Sequence, residues 1–404
     1  MRVYEINICP DLSTGTLMTN IAEAVVALDG GDCRIAYAPK KYDGYSRSNY
    51  VIGTMFQRKA HIFLGTHIGA EANFSVYNTK KLLADIKKFS PDIVQLHNIH
   101  QYFLNLSVLF RGLKKMEVPV VWTFHDCWPY TGVCHHYIAE KCDKWKKSCF
   151  DCSYVKKNKR KPWFDLSASQ FRKKQRLYGN MQNLTIVTPS KWLAGEVKKS
   201  FLAKNSNVHV INNGIDLNAF QYRTSKIRDL YDLNNKFVII SVASHWTVNK
   251  GLSDFLKLAK MVDEDTRIVL VGIEELPEKN EKIICLPLIS SKEKLAEWYS
   301  AADVYCSFST EETFGMVVAE AMSCGTPAIV YDSTASPEIV EGTLCKVCSP
   351  HDIDAVLNAL KEIREKGKAF YGDSCVAHAR EHFNKKTNSN KYVDLYHKIL
   401  KGTI

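Results

Sequence analysis

Two glutamates, Glu312 and Glu320, stand eight residues apart in the run Phe308-Ser309-Thr310-Glu311-Glu312-Thr313-Phe314-Gly315-Met316-Val317-Val318-Ala319-Glu320-Ala321-Met322-Ser323-Cys324-Gly325-Thr326-Pro327. An ionised carboxylate accepts two hydrogen bonds, which suits the neighbouring hydroxyls of a sugar. Thr313-Phe314-Gly315 reads as a tight turn into a short helix, with Gly325 just past its end and Pro327 as the stop. The first turn of such a helix, at Gly315, Met316 and Val317, offers free backbone N–H groups and the positive end of a dipole, a setting for phosphate. Lys250, just before Gly251 and after the apolar run 237–243, adds a cation suited to the same anion.

Two further positions fall where loops leave apolar runs. His125 ends the run 118–125, and an imidazole at a strand end can hydrogen-bond a sugar beside a reacting carbon. Gly15 follows the first run, 3–9, and precedes a helix; it reads as a loop position where backbone could approach a phosphate. Asn98 and His100, after the run 92–97, are candidates for lining an acceptor side.

Positioning these groups requires parallel strands joined by helices. Short, nearly continuous apolar runs predict strands at 3–9, 33–38, 92–97, 118–125, 184–188 and 208–212, and again at 237–243, 267–272, 283–286, 303–307, 328–331 and 344–347. Between them lie helical stretches at 16–28, 79–89, 103–116, 191–201, 252–261, 292–300 and 353–364, and a last one closes the chain at 386–400. The alternation predicts an α/β chain of two doubly wound, Rossmann-like domains, which a length of 404 residues accommodates. The turn signal Asn213-Gly214 places the first boundary near residue 216, so the expected domains are 1–216 and 217–385, with a final helix at 386–404.

Residues 127–176 read as an insertion rich in cysteine and basic residues. Cys149 and Cys152 have a metal-knuckle spacing, and with Cys134 and Cys142 they could form a four-thiolate structural zinc site. Reduced cysteines packed beneath a loop are the alternative. Between 141 and 204 there are 17 Lys or Arg against 4 Asp or Glu, within a chain of net charge +11. Trp163, Phe164 and Phe171 are interleaved with this charge, as in a basic helix lying on an anionic membrane surface; a plain solvated face is the other reading. No nucleic-acid motif accompanies it. The N-terminus lacks a signal-peptide pattern and no apolar run approaches a membrane span, so a cytoplasmic location is expected, with peripheral contact to the inner face of the cell membrane through the basic region.

The stretch 307–330, with Phe-Gly after the first glutamate and Glu-Ala-Met-Ser-Cys-Gly-Thr-Pro thereafter, resembles the E-x7-E signature of retaining glycosyltransferases of family 4, which have the GT-B fold. Phe124-His125-Asp126-Cys127-Trp128-Pro129-Tyr130-Thr131-Gly132 is similar to a bacterial surface-polysaccharide subgroup of that family. The resemblance implies two Rossmann-like domains facing a cleft, with the last helix crossing back to the first. It implies transfer of a sugar from a nucleotide-diphosphate-sugar, held by the C-terminal domain, to a glycan or lipid-linked acceptor, with no cofactor or metal needed for catalysis. Glu312 would hold sugar hydroxyls and Glu320 the ribose. Lys250 and the turn at Phe314, Gly315, Met316 and Val317 would hold the diphosphate, and the backbone near Ile289 the base. His125 would contact the donor sugar, and Gly15 would touch the diphosphate. The chain departs at His245, where the family has an arginine. Rival readings are a GT-B nucleotide-sugar epimerase or phosphorylase, and a nucleotide-sugar-binding protein without catalysis.

Overall fold

In a computed structural model, the structure describes residues 1–39, 49–157, 162–203, 207–276 and 278–404. Lys159, Arg160, Lys161 and Lys204 of the expected basic surface lie outside the described residues. The chain divides into two compact units: Met1–Ile211 with Lys386–Ile404, and Asn212–Lys385.

The first unit is built on β1 (Arg2–Asn7), β2 (Asp32–Tyr37), β3 (Tyr50–Val51), β4 (Ile93–Leu96), β5 (Val120–Thr123), β6 (Leu184–Thr188) and β7 (Asn207–Val210). All pairings are parallel, in the order β3-β2-β1-β4-β5-β6-β7. Every residue of β4, β5 and β6 is buried, which is why these segments read as nearly continuous apolar runs, broken only by Gln95, Thr123, Thr185 and Thr188. The strand order reverses between β1 and β4, and ligands of open parallel sheets collect beyond the strand ends at such a reversal.

The last helix, Lys385–Leu400, packs on this unit. Its Tyr392 and Tyr396 are fully buried. The Tyr396 hydroxyl donates to Gln95 Oε1 at 2.9 Å, and the Tyr392 hydroxyl accepts from the Thr123 hydroxyl at 3.1 Å. Gln95 Nε2 in turn donates to Thr123 Oγ1 at 2.9 Å. Polar groups on β4 and β5 that would otherwise be buried without partners are satisfied by the far end of the sequence.

The second unit has six strands: β8 (Phe237–Val242), β9 (Thr266–Val271), β10 (Ile283–Leu286), β11 (Val304–Ser307), β12 (Ala328–Tyr331) and β13 (Lys346–Cys348). They are again parallel, in the order β10-β9-β8-β11-β12-β13, with the reversal between β8 and β11. Phe308, just past β11, stacks on Phe255 (4.3 Å between centroids) and on Tyr331 (4.9 Å). This aromatic column fixes where the chain turns out of β11.

Three features differ from the sequence expectations. The two-residue β3 and the helices Met55–Ile68 and Lys368–His382 are additional. The first helix begins at Leu12, so Gly15 sits inside it and not in a loop. The aromatic basic segment is not one amphipathic face: Phe171 is buried, and Lys174 is turned inward, while Trp163 and Phe164 are exposed.

Candidate functional site

The turn after β11 and the turn after β8 are tied together side by side. The Thr310 N–H donates to the Asn249 carbonyl at 3.0 Å, and Asn249 Nδ2 donates to Glu311 Oε2 at 2.7 Å. Gly251 has φ +78°, and a Cβ there would lie 2.4 Å from Phe308 Cβ. A side chain at this position would therefore push the two turns apart. The result brings Lys250 Nζ to 2.5 Å from Glu312 Oε1. Their side chains are 35% and 20% exposed, so this is a half-buried pair open to a ligand.

Glu312 is held from its main chain. Its N–H donates to the Thr334 hydroxyl at 2.9 Å, and its carbonyl accepts from the Ala335 N–H at 3.2 Å. Gly315 then adopts φ +112°, a conformation open to glycine and not to side chains generally, and starts the helix Met316–Ser323. Phe314 is buried against Phe383. Met316 and Val317 are half-buried against the core of the unit. Gly325, at φ +77°, closes the helix as expected, with the Thr326 N–H reaching back to the Ala321 carbonyl at 3.1 Å.

Glu320 faces different surroundings. Its Oε2 accepts from the Tyr299 hydroxyl at 3.3 Å. Burial pushes its carboxyl up to about 8, with the Tyr299 hydrogen bond pulling the other way. The unfolded chain releases this proton near 4.5 and the folded chain near 8, so the folded state carries the extra proton between those values. Stability therefore falls as pH rises through that window. Thermal unfolding of Glu320→Gln should decline less between about pH 5 and pH 8 than that of the wild type; parallel curves would contradict this placement of the carboxyl. His245 is exposed beyond β8, and Ile289 is half-buried against the core beyond β10.

In the first unit, three neighbouring strands deliver a chain of side chains. Glu5 Oε2, on β1, lies 2.9 Å from His97 Nε2, just past β4. His97 Nδ1 lies 3.2 Å from His125 Nε2, past β5, and the two rings stack. Burial pushes the Glu5 carboxyl up and the His97 imidazole well down, and brings His125 down to about 4. Burial thus favours the neutral form of all three, and a neutral His125 is a hydrogen-bond partner and not a proton donor at pH 7. Sequence reasoning singled out His125 but not the Glu5 and His97 groups lined up behind it; the strand-end placement of His97 was the available signal.

Gly15 has a reason of its own. A Cβ there would lie 2.6 Å from the Pro10 carbonyl carbon and 2.7 Å from the Cys9 carbonyl oxygen, so the glycine admits the chain's own backbone. Asn98 uses its N–H on Asn7 Oδ1 at 3.1 Å.

The sulfurs of Cys134, Cys142, Cys149 and Cys152 do not converge within 4.8 Å, although Cys134 and Cys142 each lie within electrostatic range of Cys149 and Cys152. Among the described residues, the group of three or more His, Cys, Asp or Glu with ligand atoms within 4.8 Å of one another is Glu71, His100 and His135, and it contains no cysteine. Segment 127–152 also packs through its aromatics: Trp145 lies 5.1 Å from Tyr130 and 4.7 Å from Tyr137 between centroids. The Cys149 sulfur accepts from the Gly132 N–H at 3.2 Å. Burial pushes the thiols of Cys134 and Cys149 up to about 12 and about 11, the protonated side of their chemistry.

Two doubly wound parallel units, with charged groups gathered where the strand order reverses, define a GT-B protein. Solved structures agree in fold: sucrose-phosphate synthase from Thermosynechococcus elongatus (TM-score 0.71, 15% identity, 99% of each chain) and HepE from Anabaena in complex with UDP-glucose (TM-score 0.66, 16% identity, 98% of this chain and 99% of that one). Residues 58–219 match the domain family described as Glycosyltransferase Family 4, and residues 236–366 match Glycosyl transferases group 1. These segments together span well over half of the chain, which belongs to glycosyltransferase family 4 and is a glycosyltransferase. Among its relatives, the putative colanic acid biosynthesis glycosyl transferase WcaC of Escherichia coli is 23% identical over 320 residues, 76% of this chain and 77% of that protein. The MMP alpha-(1->4)-mannosyltransferase of Mycolicibacterium hassiacum is 28% identical over 230 residues, 53% of this chain and 54% of that protein.

Proposed function

We propose that the chain transfers a hexosyl unit, with retention of anomeric configuration, from a nucleotide-diphosphate-sugar to a glycan or lipid-linked acceptor of bacterial polysaccharide synthesis. The observation that carries this is the Lys250–Glu312 pair at the strand-order reversal of the second unit. The hard step is loss of the diphosphate from the anomeric carbon. Negative charge builds on the leaving phosphate as the sugar becomes oxocarbenium-like. An ammonium and free N–H groups at that oxygen lower its energy. In this reading Lys250 and the helix start at Gly315, Met316 and Val317 meet the diphosphate, while Phe314 anchors that turn in the core. Glu312 takes the sugar hydroxyls, Glu320 the ribose hydroxyls, and the backbone around Ile289 the base. His245 stands in the place of the family's arginine. Unit 2 is assigned the donor and unit 1 the acceptor, with the neutral His125 imidazole hydrogen-bonding the reacting sugar. Gly15 is kept as a neighbour of the diphosphate: its lack of a side chain lets the helix start pack on the Cys9–Pro10 backbone, and the first-turn N–H groups ahead of it would make the contact.

The lipid-linked form of the acceptor is favoured by a surface on unit 1. Phe56, Phe63 and Trp163 are exposed there, Trp163 lies beside His67 at 5.4 Å, and the segment carries many lysines and arginines. Aromatics among basic residues suit an anionic membrane face. Among the described residues no helix is long and apolar enough to cross a membrane, so contact would be peripheral. One experiment tests the reading: incubation with a panel of UDP- and GDP-sugars and a polyprenyl-phosphate-linked glycan in anionic vesicles. Expected are co-flotation of the protein, a glycosylated lipid, and the donor's anomeric configuration in the product. Donor epimerisation, phosphorolysis, or binding without turnover would overturn it.

A further inference from the structure

Beyond the transfer site, the first unit contains a cavity of about 540 Å³ whose wall includes Glu71, Tyr102, Trp128, His135 and Tyr154. At this wall Glu71 and His135 meet His100, which lies behind the lining, with the ligand atoms of all three within 4.8 Å of one another. Three separate parts of the chain supply them. Glu71 opens a short 3-10 turn whose carbonyl is hydrogen-bonded by the buried His61 ring. His100 follows β4, and His135 lies in the segment after β5.

The tautomers are set from behind by one carboxylate. Asp126 Oδ2 lies 3.0 Å from His100 Nε2 and 3.2 Å from His135 Nδ1, so both of those nitrogens donate to it. Asp126 Oδ1 accepts the Trp128 N–H at 2.9 Å, which fixes the carboxylate itself. That leaves His100 Nδ1 and His135 Nε2 as the nitrogens on the other side of the rings, and a bound cation would displace the proton that His135 Nε2 holds toward Glu71. His135 Nε2 faces Glu71 Oε1 at 3.6 Å. His100 is 3% exposed, and its Nδ1 has no hydrogen-bond partner among the described residues; the same holds for Glu71 Oε2. The buried ammonium of Lys174 is committed to the carbonyls of Trp128 (2.6 Å) and Thr131 (3.1 Å).

Two orphaned polar atoms and an ion-pair gap that is too long for a hydrogen bond share one small volume. From this geometry we propose that Glu71, His100 and His135 bind a divalent transition-metal cation of the zinc class, with Asp126 as the outer carboxylate that orients both histidines. Two imidazoles and a carboxylate are a donor set for such ions, and a carboxylate behind each ligating histidine is the usual support. Bonds of about 2.0–2.2 Å require the donors to close in slightly from their present spacing, within reach of a side-chain rotation of Glu71. Three protein ligands leave coordination open toward the cavity, to water or an oxygen ligand. The cation is separate from the donor machinery of the second unit, so the transfer reading stands or falls without it.

The test is titration of the full-length, chelator-treated protein with Zn²⁺ alone, followed calorimetrically, and with Co²⁺, followed by visible absorption. Expected are one cation per chain, a cobalt spectrum without the near-ultraviolet thiolate-to-metal band, and affinity reduced about 10- to 100-fold in Asp126→Asn and at least as much in Glu71→Gln and His135→Asn. Cys142→Ser and Cys152→Ser should bind as the wild type does. Circular dichroism identifies any variant that fails to fold, and the wild-type cobalt spectrum decides the ligand set without a variant. Absence of stoichiometric binding, a thiolate band, or loss of binding in the cysteine variants with retention in Glu71→Gln would overturn the proposal.

Discussion

Glu312→Gln is expected to lower transfer from the nucleotide sugar by at least about 100-fold, the cost of removing one preorganised electrostatic contact to a developing charge. The substitution keeps the size and shape of the side chain but removes the charge and half of its acceptor capacity. Glu312 has one charged partner, Lys250 at 2.5 Å, and both side chains are partly exposed. Ion pairs of this kind contribute about 0–1 kcal/mol to folding. The main-chain bonds that hold residue 312 to Thr334 and Ala335 do not involve its carboxylate. Melting temperature should therefore barely move while turnover collapses. Rates of product formation and a thermal melt on the same preparation check both halves. Near-normal turnover would remove Glu312 from the site.

The sequence carried the second unit well, because its signals are local. A strand, a positive-φ glycine, a short helix and a closing glycine lie in order between residues 304 and 331, and each is dictated by residues beside it. The pairing of Lys250 with Glu312 was legible only as an expectation about two strand ends, since Asn249 and Gly251 set the distance through contacts with a distant turn. Where side-chain chemistry depends on several distant segments, sequence reasoning failed. The aromatic packing of Trp145 with Tyr130 and Tyr137 in segment 127–152 had no spacing signal beside that of the cysteines. Glu71, His100, Asp126 and His135 have no spacing pattern, because strands β4 and β5 and a 3-10 turn bring them together. The missed helix Met55–Ile68 did have a local signal: Thr54 and Gln57 form a capping box.

The Lys250–Glu312 pair predicts effects of opposite sign on binding. In the free protein the ammonium is neutralised by Glu312, so donor binding must redirect it to the diphosphate and release the carboxylate for sugar hydroxyls. Lys250→Met removes a charge-assisted hydrogen bond worth about 1.5–3 kcal/mol, so affinity for UDP or GDP should fall roughly 10- to 100-fold, with a further loss in turnover. Lys250→Arg restores the charge and should recover part of the binding, though the planar guanidinium suits the narrow turn before Gly251 less well. Glu312→Gln frees the ammonium, and should bind the same nucleoside diphosphate at least as tightly as the wild type while failing to transfer sugar. Because the two residues act on one another, the double variant should lose less transfer than the product of the single losses. Calorimetry with UDP and GDP on the three single variants, and rates on the double, distinguish this exchange from a merely structural ion pair. A structural pair would give equal weakening from either side and no recovery with arginine.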